Sequence, residues 1–170
     1  MASLADYTNS ELHGQWFDAT REPEELELAA RFMLHGNRTP NTEEWGIFDY
    51  DEFYGAELGE YESFETISRV ARSIAEHGEA FGHWAVYVDS GSTEQVECFG
   101  DHYRGERASF EAYVRDYLEE TEFYRFLEQV PESMRGYVEV DVEQIAQDWS
   151  CDYYVVELAS GRVGVFETAG

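Results

Sequence analysis

The sequence predicts an α+β fold, built as an elongated chain of three small packed units over residues 1–60, 61–103 and 104–170. Two observations lead there. Well-capped stretches carry apolar residues at helical spacing, whereas short aromatic or β-branched runs near both ends read as strands. No self-similar period of about 20 to 50 residues organises the chain, so a solenoid or propeller is excluded.

In the first unit, Leu12-His13-Gly14-Gln15-Trp16-Phe17-Asp18 has the aromatic content of a strand. A helix over 24–35 follows, with Pro23 suited to its first turn, and Glu22, Glu24 and Glu25 favoured by its positive N-terminal end. Leu26, Ala29, Ala30, Met33 and Leu34 form its apolar stripe and Gly36 its stop. Residues 37–42 read as a loop and 45–50 as a second strand. The middle unit is helical. Ser63 caps a helix with Phe64, Ile67, Val70, Ala71 and Ile74 on one face, and Gly78 ends it. Residues 80–88 form a nearly all-apolar, buried helix, and Ser92-Thr93-Glu94-Gln95 is a capping box for a short third one. In the last unit Ser109 caps the longest helix, which runs to Val130 before Pro131 breaks it. Asp141 caps a helix through Trp149. Residues 152–158 and 162–167 then form a hairpin around Ser160-Gly161.

Composition narrows the function. The chain has 170 residues, 37 Asp and Glu against 11 basic residues, and a formal net charge of -26. Every basic residue is Arg, and the acids divide into 27 Glu and 10 Asp. Such a chain cannot bind nucleic acid through phosphates, where affinity comes from basic groups displacing counterions. An anionic membrane surface should repel it. No apolar run reaches the roughly 18 residues of a membrane span, and the first residues lack the basic and apolar regions of a signal peptide. A cytoplasmic protein is expected. With 43% hydrophobic and 16% aromatic residues the chain can still build a core, so disorder is not expected. Cys98 and Cys151 match no metal or redox spacing and read as small buried thiols.

Catalytic and metal chemistry find little support. Asp49-Tyr50-Asp51-Glu52 has a hint of a calcium loop, but lacks the spaced oxygens and the central Gly. Cys98 and His102 stand four apart, with no second ligand pair nearby. No nucleophile elbow, zinc-binding His-Glu-x-x-His or phosphate-cradling Gly-rich loop is present. No enzyme, cofactor or metal is therefore expected.

The charge itself is what remains. Duplex DNA carries one negative charge per about 1.7 Å of axis, so -26 corresponds to about 44 Å of duplex. Carboxylates four residues apart on a helix are separated by about 6 Å of rise, close to the phosphate spacing along one strand. Candidate partner-binding acids are Glu24 and Glu27 on the first helix, and Glu57, Glu60, Glu62, Glu65 and Glu76 in and before the second. Glu111, Asp116, Glu119 and Glu122 belong to the long helix. The arginines should pair internally and relieve repulsion. Acidic residues on helices are usually only solvated faces, and a salt-adapted domain without any DNA-groove partner would also be acidic. Mimicry aimed at another basic DNA-binding protein is a further alternative.

Ser3-Leu4-Ala5-Asp6-Tyr7, then Leu12 to Asp18, then Trp45-Gly46-Ile47-Phe48-Asp49-Tyr50 resemble the N-terminal part of the ArdA-type antirestriction proteins. Leu58-Gly59-Glu60-Tyr61-Glu62 and Ala75-Glu76-His77-Gly78-Glu79-Ala80-Phe81 are similar to their central region. Phe99-Gly100-Asp101-His102-Tyr103-Arg104-Gly105-Glu106, with Tyr113 and Val114 beyond it and later 137–148, resemble their C-terminal part. The resemblance implies an elongated homodimer whose acidic surface imitates bent B-form DNA. It would bind the methyltransferase and specificity subunits of type I restriction-modification enzymes, and be carried on mobile genetic elements. Family members usually have several more residues before Ser3, so the first strand here should be short. The dimer contact is expected at Trp149, Tyr153 and Tyr154.

Overall fold

The computed structural model describes residues 1–36, 44–88 and 98–168, and combines helices with small antiparallel sheets, the α+β class expected from the sequence. Contacts divide the chain into two units, Met1–Phe99 and Gly100–Gly170.

In the first unit, Ser3 both ends β1 (Ala2–Ser3) and caps α1 (Leu4–Thr8), its hydroxyl accepting from the Asp6 amide at 3.3 Å. β1 pairs antiparallel with β2 (Trp45–Gly46), Ala2 opposite Gly46 and Ser3 opposite Trp45. The expected strand over residues 12–18 reduces to one bridge, Gly14 to Ala2. A Cβ on Gly14 would lie 2.8 Å from the Met1 carbonyl, so only glycine permits this approach. The expected strand over 45–50 likewise stops after Gly46, because the Ile47 amide turns to the Glu60 carbonyl at 2.8 Å. Aromatic content alone predicted both strands, but among the described residues neither segment has a neighbour along its length to make a ladder with.

The helices follow their caps and stripes. α2 (Pro23–His35) buries Leu26, Ala30, Met33 and Leu34. α3 (Phe64–His77) is capped by Ser63, which accepts from the Thr66 amide at 3.1 Å, and ends at Gly78 with a φ of 69°. α3 packs against α2 and against α4 (Glu79–Tyr87). α4 buries Ala80, Phe81, Trp84 and Ala85, but Val86 and Tyr87 are exposed, so it is less enclosed than its composition implies. The Phe99 ring closes this core, 4.7 Å from the His77 ring and 5.2 Å from that of Phe81. The loop expected over 37–42 and the capping box over 92–95 lie outside the described residues.

α5 (Phe99–His102) leads into the second unit, where β3 (Tyr103–Arg107), β4 (Tyr153–Glu157) and β5 (Val163–Glu167) form an antiparallel sheet in the order β3-β5-β4. The hairpin is as expected, with Val155 opposite Val165. β3 was not anticipated: its sequence, Tyr-Arg-Gly-Glu-Arg, has no alternation of apolar and polar residues, and its register shifts between Tyr103 and Gly105. α6 (Phe110–Glu120) lies on this sheet and against α9 (Val142–Trp149). Tyr113, Val114, Leu118, Ala146 and Val165 are the core. The single long helix expected to reach Val130 is instead divided. α6 ends at Thr121, Glu122 takes a left-handed conformation with φ 61°, and α7 (Phe123–Leu127) starts afresh, followed by α8 (Glu132–Arg135). Neither cysteine is buried as expected: Cys98 is half-buried and Cys151 exposed.

Candidate functional site

Of the acids singled out in the sequence, Glu24, Glu27, Glu57, Glu60, Glu65, Glu76, Glu111, Glu119 and Glu122 are exposed, and Glu62 and Asp116 are half-buried. Exposure alone does not make a row of phosphates. On α2 the carboxylate of Glu27 is held by Arg31 at 2.6 Å, and Leu28 and Phe32 stand exposed beside them. Along α3, Glu65, Arg69, Arg72 and Glu76 recur at helical spacing, so two arginines separate two acids by about 16 Å of rise. Arg72 also reaches Glu22 at 2.7 Å and the Thr20 carbonyl at 2.8 Å.

α6 repeats the arrangement. Glu111, Arg115 and Glu119 share one stripe, with the cation in the middle. Hydrogen bonds from the Ser109 hydroxyl and then from its own amide, with Arg115 nearby, hold the Glu111 carboxyl below the usual carboxylate range. Asp116 turns toward β3, where Arg107 Nε donates to it at 2.7 Å. Glu122 sits in the break after α6 and pairs with Arg125. Arginine thus stands among the carboxylates of all three helices, although Asp116, Glu119 and Glu120 adjoin one another at the end of α6.

The most acid-rich run without a basic residue lies between α2 and α3; a second, over 136–161, carries six acids. From 44 to 65 the chain carries Glu44, Asp49, Asp51, Glu52, Glu57, Glu60, Glu62 and Glu65 with no arginine or histidine. This segment has no regular secondary structure beyond β2 and the start of α3, yet it is pinned at several points. Asp49 accepts from the Tyr50 amide and Asp51 from the Glu52 amide, both at 2.9 Å, and the Leu58 amide donates to the Tyr50 hydroxyl at 3.3 Å. Phe53 and Ala56 are buried beneath it. Glu52 and Tyr54 are left-handed without being glycine, with φ of 62° and 49°. α4 supports the bend from below at Gly82, where a Cβ would stand 2.6 Å from the Tyr54 Cβ and 2.9 Å from the Phe53 carbonyl. Desolvation first, and then the Glu60 and Glu44 carboxylates, raises the pKa of the Tyr61 phenol, placing both acids near one ring.

Sequence reasoning found Glu57, Glu60, Glu62 and Glu65 but weighed Asp49, Asp51 and Glu52 only as a calcium loop. The signal that marks them all is the missing basic residue between Arg38 and Arg69. Among the described residues no group of three or more His, Cys, Asp or Glu is arranged to hold a metal ion.

The three aromatic residues expected at a dimer contact are placed differently from one another. Trp149 stands edge-on to Tyr117 at 5.2 Å and stacks on Tyr153 at 6.2 Å, and both are half-buried against the core. The Tyr113 and Tyr153 hydroxyls share a hydrogen bond at 3.4 Å, and burial, followed by that bond, pushes the Tyr153 phenol up. Tyr154 faces Phe166 at 5.7 Å. The more exposed apolar side chains of this unit are Phe126, Met134, Tyr137 and Val138.

The family model of the ArdA antirestriction proteins matches residues 1–163 of the 170. The chain belongs to that family. No curated protein matches it. Membership makes antirestriction its activity and restriction enzymes its targets, as an inhibitor rather than an enzyme. Among the described residues, no helix of this ArdA protein is long and apolar enough to cross a membrane.

Proposed function

We propose that this ArdA protein imitates B-form DNA and competitively occupies the DNA-binding groove of type I restriction-modification enzymes, at the methyltransferase and specificity subunits. The observation that carries the reading is the pinned segment over 44–65, whose eight acids are uninterrupted by any basic residue, within a chain of net charge -26. Carboxylates stand in for phosphates against Arg and Lys of the groove, and counterions leave the mimic as they leave DNA. Glu24, Glu27, Glu76, Glu111, Asp116, Glu119 and Glu122 extend the anionic surface at lower local charge, because arginines stand among them. The mechanism involves no chemistry and no direct contact with nucleic acid.

The reading includes an elongated arrangement of the segments 1–60, 61–103 and 104–170, and a homodimer. Trp149 and Tyr153 are largely committed to their own core, so the dimer's apolar area is better supplied by Phe126, Met134, Tyr137 and Val138, with Tyr154 of β4. A cytoplasmic protein carried on a mobile genetic element completes the proposal.

Displacement of labelled cognate duplex from a purified type I methyltransferase tests it. The apparent DNA affinity should fall in proportion to the added protein, and saturating DNA should reverse the inhibition. Inhibition that saturating DNA leaves untouched would place the contact outside the groove. Folding at low ionic strength separates this reading from salt adaptation: a mimic stays folded there, whereas a salt-adapted domain unfolds.

A further inference from the structure

We propose that the cavity between α3 and the loop over 47–58 is a binding site for a small organic cation, an aliphatic ammonium or guanidinium compound. This goes beyond DNA mimicry, which needs no concave site. The cavity has a volume of about 590 Å³, within the range of ligand pockets. Its floor is apolar, made by Ile67, Ala71 and Ile74 of α3, and its walls include Trp16, Phe17 and Tyr50. Asp18, Asp49, Asp51 and Glu52 also line it, with no arginine or histidine among the described lining residues.

An aromatic wall, an apolar floor and a carboxylate rim together fit one ligand chemistry. The rings attract a cation through their negative faces, the floor accepts a methylene chain, and the carboxylates bind the charged ends. A bare metal ion would gain nothing from the floor, and a neutral apolar molecule nothing from the rim. The rim is also oriented in advance. Asp18 accepts from the Thr20 amide at 3.0 Å and from its hydroxyl at 2.7 Å, and Asp49 and Asp51 each accept from the next amide through one oxygen. In each the second oxygen keeps acceptor capacity. The Met1 amino group lines the cavity too, where it donates to the Gln15 carbonyl at 3.1 Å and is attracted by Asp49, but one amino group among four carboxylates leaves the rim an excess of negative charge.

The test is calorimetric titration of the full chain with spermidine and with agmatine, at about 0.15 M salt to screen diffuse attraction, with magnesium as the control cation. Trp16 at the wall gives a parallel fluorescence signal. The expected result is saturable binding of one amine per chain that magnesium does not reproduce. Asp49→Asn combined with Asp51→Asn keeps the local amide contacts and should weaken it about tenfold or more. Ala75→Trp, at an exposed position on the lining, should do the same by filling the site with every carboxylate retained. Glu119→Gln combined with Glu120→Gln removes as much charge elsewhere and should leave it unchanged. Binding that does not saturate, an equal loss in both double variants, or no effect of Ala75→Trp in a folded protein would each overturn the proposal. These outcomes are independent of DNA displacement from the methyltransferase, so either claim can fail alone.

Discussion

Arg115 shows what the arginines contribute. It stands between Glu111 and Glu119 on α6, and each helical pair of this kind contributes about 0.2–0.5 kcal/mol to the helix. Replacing Arg115 with Gln should therefore lower the Tm measurably, while binding to a cationic groove stays unchanged or strengthens, because one repelling charge is removed. Thermal melts beside competition assays would show the reverse order if Arg115 served the interface. Tyr153 carries the pH dependence. Burial and the Tyr113 hydrogen bond raise its pKa above the ordinary 10.0 of an unfolded tyrosine, and burial raises Tyr113 likewise. A raised folded pKa gives stability that is complete below the unfolded value and is lost as pH climbs through the folded one. Stability should hold up to about pH 10 and fall beyond it. Tyr153→Phe should flatten that alkaline limb in melts recorded across the range.

Elements were legible where the signal was local. Ser63, Ser109 and Asp141 accept from the Thr66, Ala112 and Gln144 amides, and each helix starts where its cap predicts. Strands depend on partners that the sequence does not display. Residues 12–18 have strand composition but one bridge, whereas Tyr103–Arg107 has poor composition and pairs along most of its length with β5. The break after α6 was hidden for a related reason, since Glu122 gives no glycine signal. A non-glycine left-handed residue costs about 1–2 kcal/mol, so Glu122→Gly should leave stability unchanged or raise it, despite losing the exposed pair with Arg125. A marked fall in Tm would show that the two helices behave as one. Gly82→Ala tests the support of the acidic segment. Its methyl would collide with Tyr54 and the Phe53 carbonyl, and overpacking of this kind costs about 1–3 kcal/mol. Inhibition should weaken along with the melt, because the displaced loop carries Asp51 and Glu52.

At the level of the whole molecule the sequence made the charge obvious and its distribution much less so. Helical periodicity pointed to rows of carboxylates, but the rows are short: Glu24 and Glu27 on α2 meet Ala30 and Arg31, Glu65 on α3 meets Ser68 and Arg69, and Glu111 on α6 meets Val114 and Arg115. The segment over 44–65 escapes this because it is not helical, and its order comes from Phe53, Ala56 and Gly82 rather than from a period. Energy spread over many acids makes single changes weak. Glu60→Gln or Glu119→Gln alone should alter inhibition little, whereas joint neutralisation of Glu57, Glu60, Glu62 and Glu65 should weaken it progressively at unchanged Tm. The most direct measurement of phosphate imitation is the affinity of the protein for a purified type I methyltransferase across a range of salt concentrations. On this account the logarithm of affinity falls steeply and linearly with the logarithm of salt, nearly parallel to the line for the enzyme's own DNA. A flat line, or one enzyme holding protein and duplex together, would contradict it.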